Sequence, residues 1–257
     1  MILAIDMGNT NIVVGCIKND NILFVERIST DLLKTELEYA VSFKTVFELY
    51  GINSAEIHGA IISSVVPPLT GIIGSAVEKI IGKKPMVVGP GVKTGLNILM
   101  DNPKTVGADL IVDAVAGISE YGAPLIVIDM GTATTISVID KDRNYIGGMI
   151  IPGLRVSMDS LVNRTSQLPR IGFEAPGKVI GTNTVDCMKS GIINGNAAML
   201  DGIIERIEDE LGYPAKVIAT GGLAKVVIPM CKKDIINDDS LLLKGLNIIY
   251  NKNIDKK

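Results

Sequence analysis

The sequence predicts an α/β protein made of two successive domains of the same design. Two observations carry this: an acidic turn repeated 123 residues apart, and helix-like and strand-like periodicities that alternate after each copy; the scarcity of aromatics adds that the core is aliphatic. The repeat reads Ile-Asp-Met-Gly at residues 5–8 and again at 128–131. Gly8-Asn9-Thr10-Asn11 follows in the first copy and Gly131-Thr132-Ala133-Thr134 in the second. Each then enters an apolar stretch and a polar turn, Lys18-Asn19-Asp20-Asn21 and Lys141-Asp142-Arg143-Asn144. Lys18 and Lys141 both lie twelve residues past their Asp, and further strand-like runs follow at 22–28 and 145–151. Strand, tight turn, strand, polar turn, strand makes two antiparallel hairpins in a row. Matching turns around a matching tetrapeptide point to duplication.

The remaining elements follow from spacing. Residues 32–50 carry apolar side chains at 37, 40, 41, 43, 46, 47 and 49, near the helical period, and Gly51 closes the helix. Residues 59–66 read as a short buried strand before Pro67-Pro68, 70–81 as a helix closed by Gly82, and 85–88 as another strand. Asp109 begins an apolar helical stretch over 110–118. In the second half, 184–211 reads as helical with a Gly-containing interruption and 215–219 as a strand. Gly221-Gly222 marks a turn, and 241–250 reads as a terminal helix before a Lys-rich end expected to fray. The boundary is expected near 117–122, giving α/β domains over 1–118 and 119–257, packed side by side.

Composition narrows the function. With 47% hydrophobic and 21% charged residues the chain reads as globular. No apolar run reaches the roughly 18 residues of a membrane span, so no membrane partner is expected. Basic and acidic residues number 25 and 28 with no basic block, which argues against a nucleic-acid partner. The three cysteines, Cys16, Cys187 and Cys231, show no CxxC spacing, and Cys16 reads as a buried thiol. The single histidine, His58, precedes a strand and reads as structural. The first residues lack a basic region and are interrupted by Asp6, unlike a signal peptide, so a cytoplasmic location is expected.

The repeated turn carries the chemistry. A strand ending in Asp that turns through Gly sets a carboxylate beside backbone N–H groups and small polar side chains able to cradle phosphate oxygens. A carboxylate needs a cation between itself and phosphate, usually Mg²⁺, which takes oxygen ligands. Asp6, Gly8, Asn9, Thr10 and Asn11 supply such a set, as do Asp129, Gly131, Thr132 and Thr134. Asp-x-Gly is also an ordinary hairpin turn; two related copies favour phosphate. No GxxxxGK[ST] or GxGxxG loop occurs.

These turns resemble the two phosphate loops of the acetate kinase, sugar kinase, Hsp70 and actin superfamily. The fuller pattern resembles type III pantothenate kinase. It comprises Asp6-Met-Gly-Asn-Thr-Asn11, Asp101-Asn-Pro103, Gly107-Ala-Asp109, Asp129-Met-Gly-Thr-Ala-Thr134, Gly147-Gly148 leading to Pro152-Gly153, Gly181-Thr-Asn-Thr184 and Ala219-Thr-Gly-Gly222. The resemblance implies two tandem ribonuclease H-like domains with an interdomain nucleotide cleft. It also implies phosphoryl transfer from ATP to the primary hydroxyl of pantothenate, opening coenzyme A synthesis.

Carried over by position, Asp6, Met7, Gly8, Asn9, Thr10, Asn11, Ile12 and Val13 line the ATP phosphates, with Asp6 near Mg²⁺. Thr132 also contacts ATP, and Asp129 matches a monovalent cation site for potassium or ammonium. Asp109 matches the general base. Met100, Gly107, Ala108, Asp109, Leu110 and Thr184 fall at substrate positions, and Thr220-Gly221-Gly222 resembles an adenosine-binding segment. Family members are homodimers with pantothenate near the subunit interface. Where the family usually carries Arg after Gly-Ala-Asp and Tyr before Asp-Asn-Pro, this chain has Leu110 and Met100. Those departures leave two alternatives, a kinase of another small hydroxyl compound or a non-catalytic nucleotide-binding, regulatory paralogue. Lys104, Arg155 and Arg164 are candidate cations for the pantothenate carboxylate.

Overall fold

A computed structural model describes residues 1–254 as two compact units. The strands are β1 (Ile2–Met7), β2 (Asn11–Lys18), β3 (Asn21–Ser29), β4 (Gly59–Ser64), β5 (Met86–Val87), β6 (Asn97–Ile98), β7 (Leu125–Met130), β8 (Ala133–Ile139), β9 (Asn144–Pro152), β10 (Lys216–Thr220) and β11 (Ile236–Asn237). The helices are α1 (Glu36–Leu49), α2 (Pro67–Ile81), α3 (Ala108–Tyr121), α4 (Leu154–Arg164), α5 (Thr184–Leu211), α6 (Ala224–Val227) and α7 (Leu241–Ile254).

The first unit's sheet runs β3-β2-β1-β4-β5. The hairpin strands pair antiparallel, and β4 joins β1 in parallel after α1 has crossed over. The second unit's sheet runs β9-β8-β7-β10-β11 in the same sense, with the short β6 added outside β9. Strand order and direction therefore repeat as the sequence echo predicts. So does burial: along β1 and β7 alike, every residue is buried except the Asp one place from the end.

The equal spacing from Asp to Lys conceals two compensating differences. Four residues separate the Met7–Ile12 pair in the first turn, but three separate Met130–Thr134 in the second. The residue is regained at the next hairpin. There Asn19 and Asp20, both at positive φ (49° and 63°), form a two-residue loop of the primed type that strand twist favours. The corresponding loop of the second copy is longer, closed by the Asp140 N–H donating to the Asn144 carbonyl.

Each sheet is covered by helices. In the first unit Leu3, Ile5 and Met7 face Tyr39 and Phe43 of α1 and Ile73 and Val77 of α2. Ile2, Ala4 and Ile61, on the other face, meet Val112 and Val115 of α3 and Leu246 and Ile249 of α7. In the second, Ile126 and Ile128 pack with Leu154 and Met158 of α4 and Ile193, Leu200 and Ile204 of α5.

The expected division into 1–118 and 119–257 differs from this partition. Of the described residues the first unit takes 1–96, 102–116 and 240–254, and the second takes 97–101 and 117–239. The physical reason is α7, whose apolar stripe completes the core on β1 and β4. Burial of that stripe outweighs its place at the end of the chain.

Element boundaries differ locally as well. The first helix starts at residue 36, not 32, because Thr35 caps it and Glu38 closes a capping box. The second begins at Pro67, a residue suited to a first helical turn. The interruption expected in 184–211 is absent: α5 is one 28-residue helix. Gly191 and Gly195 sit on its exposed side while Met188, Ile192, Ile193, Ala197 and Leu200 anchor the other. The terminal helix extends to Ile254, so of the end expected to fray, residues 251–254 are helical and 255–257 lie outside the described residues.

Candidate active site

In the first unit the site residues gather at the carboxyl ends of β1 and β4, where parallel strands characteristically present ligand-binding groups. Asp6 is the last residue but one of β1, fixed by ladders on both sides, to Val13 of β2 and Ser63 of β4. Past it the chain turns through Gly8, Asn9 and Thr10. The Gly8 N–H donates to the Asn11 carbonyl (3.0 Å), and the Gly8 carbonyl accepts from Thr30 Oγ1 (2.6 Å). The Thr30 N–H donates to the Thr10 carbonyl (3.0 Å), so one residue at the end of β3 pins two acceptors of the turn. Asn9, Thr10 and Asn11 stay exposed. Met7 and Ile12 belong to the core with no exposed surface, so of the eight residues assigned to ATP these two offer a ligand only backbone. Val13 is half-buried on β2.

Asp109 lies in the first turn of α3. A side chain on Gly107 would collide with Asp109 Oδ1 and reach to 3.6 Å from Val65 Cγ1. That explains the Gly-Ala-Asp spelling: glycine leaves room for the carboxylate and lets the start of α3 lie against the segment following β4. Asp109 Oδ1 accepts from the Leu110 N–H (2.8 Å). Burial pushes the carboxyl above the usual aspartate range, opposed by that backbone hydrogen bond. A half-buried carboxylate with a raised pKa is a better proton acceptor than one in water. Ala108 and Leu110 flank it, both half-buried.

In the second unit Asp129 occupies the equivalent place on β7, paired with Thr135 of β8 and Thr220 of β10. Gly131 and Thr132 are exposed in the turn, and the Gly131 N–H donates to the Ala133 carbonyl (3.1 Å). Two glycines crowd this turn. Gly153, before α4, stands where an added Cβ would collide with the carbonyl oxygens of Gly131 and Thr132. Gly221, at φ +95°, stands where a Cβ would lie 2.6 Å from both Asp129 Oδ1 and the Met130 nitrogen. Both were visible in the sequence as Pro-Gly and Gly-Gly, but their contact with the acidic turn was not.

Thr184 opens α5 and lines a groove of about 730 Å³ with Val156, Ser157 and Leu161 of α4 and Met188 of α5. Met100 follows β6, its Sδ 3.8 Å from where a Cβ on Gly147 would be. Arg155 lays its guanidinium over the Phe173 ring at 5.3 Å, and Arg164 ends α4. His58 is structural here, its Nδ1 2.8 Å from the Met1 nitrogen, and Cys16 is fully buried. Among the described residues no three His, Cys, Asp or Glu side chains converge as a metal cluster. No helix of the described residues is long and apolar enough to cross a membrane.

Comparison with known proteins gives the family and the fold. The family model described as type III pantothenate kinase matches residues 2–206. A type III pantothenate kinase of Halalkalibacterium halodurans is 46% identical over 254 residues, 99% of this chain and all of the relative. One from Geobacillus sp. is 46% identical over 257 residues, the whole of both chains. Among solved structures, component A of the (R)-2-hydroxyglutaryl-CoA dehydratase of Acidaminococcus fermentans superimposes with a TM-score of 0.58 at 15% identity, covering 97% of this chain and 96% of that one. The ADPNP-bound activator of the Clostridium difficile 2-hydroxyisocaproyl-CoA dehydratase gives 0.56 at 12%, covering 100% and 98%. At such identities the likeness concerns fold alone, and it agrees with two ribonuclease H-like units.

Proposed function

The chain belongs to the type III pantothenate kinase family, and from that premise we propose that it transfers the terminal phosphoryl group of ATP to the primary hydroxyl of pantothenate, opening coenzyme A synthesis. The observation that carries the reading is Asp109, a half-buried carboxylate with raised proton affinity at the β4 end of the unit that bears the Asp6 turn. Phosphoryl transfer is mainly positioning and charge neutralisation, with a carboxylate to take the acceptor's proton. Asp109 accepts the pantothenate hydroxyl proton as the hydroxyl oxygen bonds to phosphorus and the ADP oxygen leaves. The turn from Asp6 to Asn11, with the backbone of Ile12 and Val13, holds the nucleotide phosphates.

The donor set at this turn is all oxygen, as Mg²⁺ requires, and a single carboxylate beside substrate phosphates is its usual protein share. When bound, Mg²⁺ supplies the positive charge between phosphate and Asp6. Thr132 contacts the nucleotide, and Asp129 holds a monovalent cation, potassium or ammonium. Gly107, Ala108, Leu110, Met100 and Thr184 serve the acceptor side. The apolar groove beside Thr184, together with the exposed Ile150, Val179 and Ile180, supports a homodimer. A cytoplasmic setting suits this metabolic role. The alternatives raised by Met100 and Leu110 are not favoured, since relatives matched along their whole length are type III pantothenate kinases. The test is ADP release by purified protein with Mg²⁺, potassium and ATP. Pantothenate-dependent turnover is expected, and its absence would refute the assignment.

A further inference from the structure

We propose that Ser63 is a positioning residue of the first phosphate turn, its hydroxyl hydrogen-bonding the hydration shell of the Mg²⁺ that Asp6 holds. The inference deepens the kinase reading and rests on it. Ser63 is fully buried, and its Oγ has no hydrogen-bond partner among the described residues. A buried hydroxyl left unbonded is destabilising, and each such group in a native protein calls for a reason. The neighbouring Ser64 shows the ordinary solution: its Oγ lies 2.8 Å from Thr70 Oγ1 and accepts from the Val66 N–H (3.1 Å).

Position supplies the reason. Ser63 is the register partner of Asp6 on the parallel strand β4, and partners in a ladder project from the same face of the sheet. The unbonded hydroxyl therefore stands one strand away from the carboxylate, at the strand ends where the phosphates bind. The second unit repeats the arrangement independently: the β10 partner of Asp129 is again a buried hydroxyl residue, Thr220. Its β8 partner, Thr135, also carries a buried Oγ1 with no hydrogen-bond partner. Mg²⁺ dehydrates reluctantly and keeps several waters, each a donor in need of acceptors. A serine hydroxyl can accept from such a water while donating elsewhere, which an alanine cannot.

The test separates this from a packing role. Wild type, Ser63→Ala and Ser63→Thr are titrated calorimetrically with a non-hydrolysable ATP analogue, with and without Mg²⁺, and melted without ligand. For Ser63→Ala, the gain in nucleotide affinity conferred by Mg²⁺ is expected to fall at least about tenfold, or about 1.4 kcal/mol. Affinity without Mg²⁺ should stay unchanged, and the ligand-free protein should melt no lower than wild type. Ser63→Thr, which restores the residue type of Thr220, should recover most of the gain. An unchanged Mg²⁺ gain in Ser63→Ala overturns the proposal, as does a loss equal with and without the metal. If wild type itself neither binds the nucleotide nor releases ADP with pantothenate, the kinase reading has failed instead.

Discussion

Gly221→Ala is the perturbation whose cost can be worked most directly from the structure. Two penalties add. At φ +95° the backbone lies where an L side chain is disfavoured, and the left-handed region costs a non-glycine residue roughly 1–2 kcal/mol. The new methyl would also stand 2.6 Å from Asp129 Oδ1 and from the Met130 nitrogen, one end of a strand held in ladders on both sides. Overpacking of this kind costs about 1–3 kcal/mol. The sum is about 2–5 kcal/mol, and at about 2–4 °C per kcal/mol for a chain of this size the melting temperature should drop by roughly 4–20 °C. Gly222→Ala is the internal control: nothing lies within 4 Å of its added carbon and its φ is not left-handed. It should stay within about 0.5 kcal/mol of wild type. Differential scanning calorimetry of the pair reads both. Should the two variants melt together, the claim that Gly221 is pressed against the Asp129 turn is wrong.

Asp109→Asn should lower kcat by about 10²–10⁴ with nucleotide affinity preserved; activity within a few-fold of wild type would remove Asp109 from the general-base role. Its stability carries a second signature. Burial raises the folded-state carboxyl, so Asp109's contribution declines as pH rises from the ordinary carboxylate range through the raised value. The neutral Asn escapes this, so the variant should melt no lower than wild type at pH 7, with its relative advantage vanishing in acid. Potassium or ammonium should stimulate turnover over sodium through Asp129; equal rates in sodium alone would discount that site. Met100→Tyr with Leu110→Arg should lower the Michaelis constant for pantothenate at least about tenfold, within the roughly 1.5–3 kcal/mol of a hydrogen bond to a charged group. A wild type that saturates at micromolar pantothenate, with no gain in the double variant, would show that another cation serves the carboxylate.

How much of this was legible before folding depended on how local the signal was. The duplicated turns were readable because Asp, Gly and the polar turn residues are dictated by the backbone they must adopt. Their topology followed, down to matching strand orders. The return of α7 was not readable, since an amphipathic stripe declares that it will be buried and not on which sheet. Strands β6 and β11, two residues each, carry no periodicity, and α4 is too polar to stand out as a helix. The glycines of α5 misled because their cost, about 1 kcal/mol each against alanine, is small beside the buried face that holds the helix. At the site, the acids and Gly107 were visible as motif letters. Ser63 and Thr30 were not, because a serine ending an apolar run looks like any strand terminus until the register sets it beside Asp6.

What duplication kept and what it changed bear on how the site works. The two acidic turns differ by one residue in length, so their amide groups cannot lie in the same pattern, and the first presents Asn9 and Asn11 where the second presents Thr132 and Ala133. Both carboxylates nevertheless hold the same place, one residue before a strand's end and laddered to an antiparallel strand on one side and a parallel one on the other. The charge is thus positioned by the sheet and the contact groups by the loop. Sites built on strands hold their geometry more tightly than sites built on loops. A loop can therefore lose a residue, and with it change which groups it presents, without moving the carboxylate. Under the proposed assignment of a hydrated divalent ion to Asp6 and a monovalent ion to Asp129, this is what would let one ancestral turn serve both.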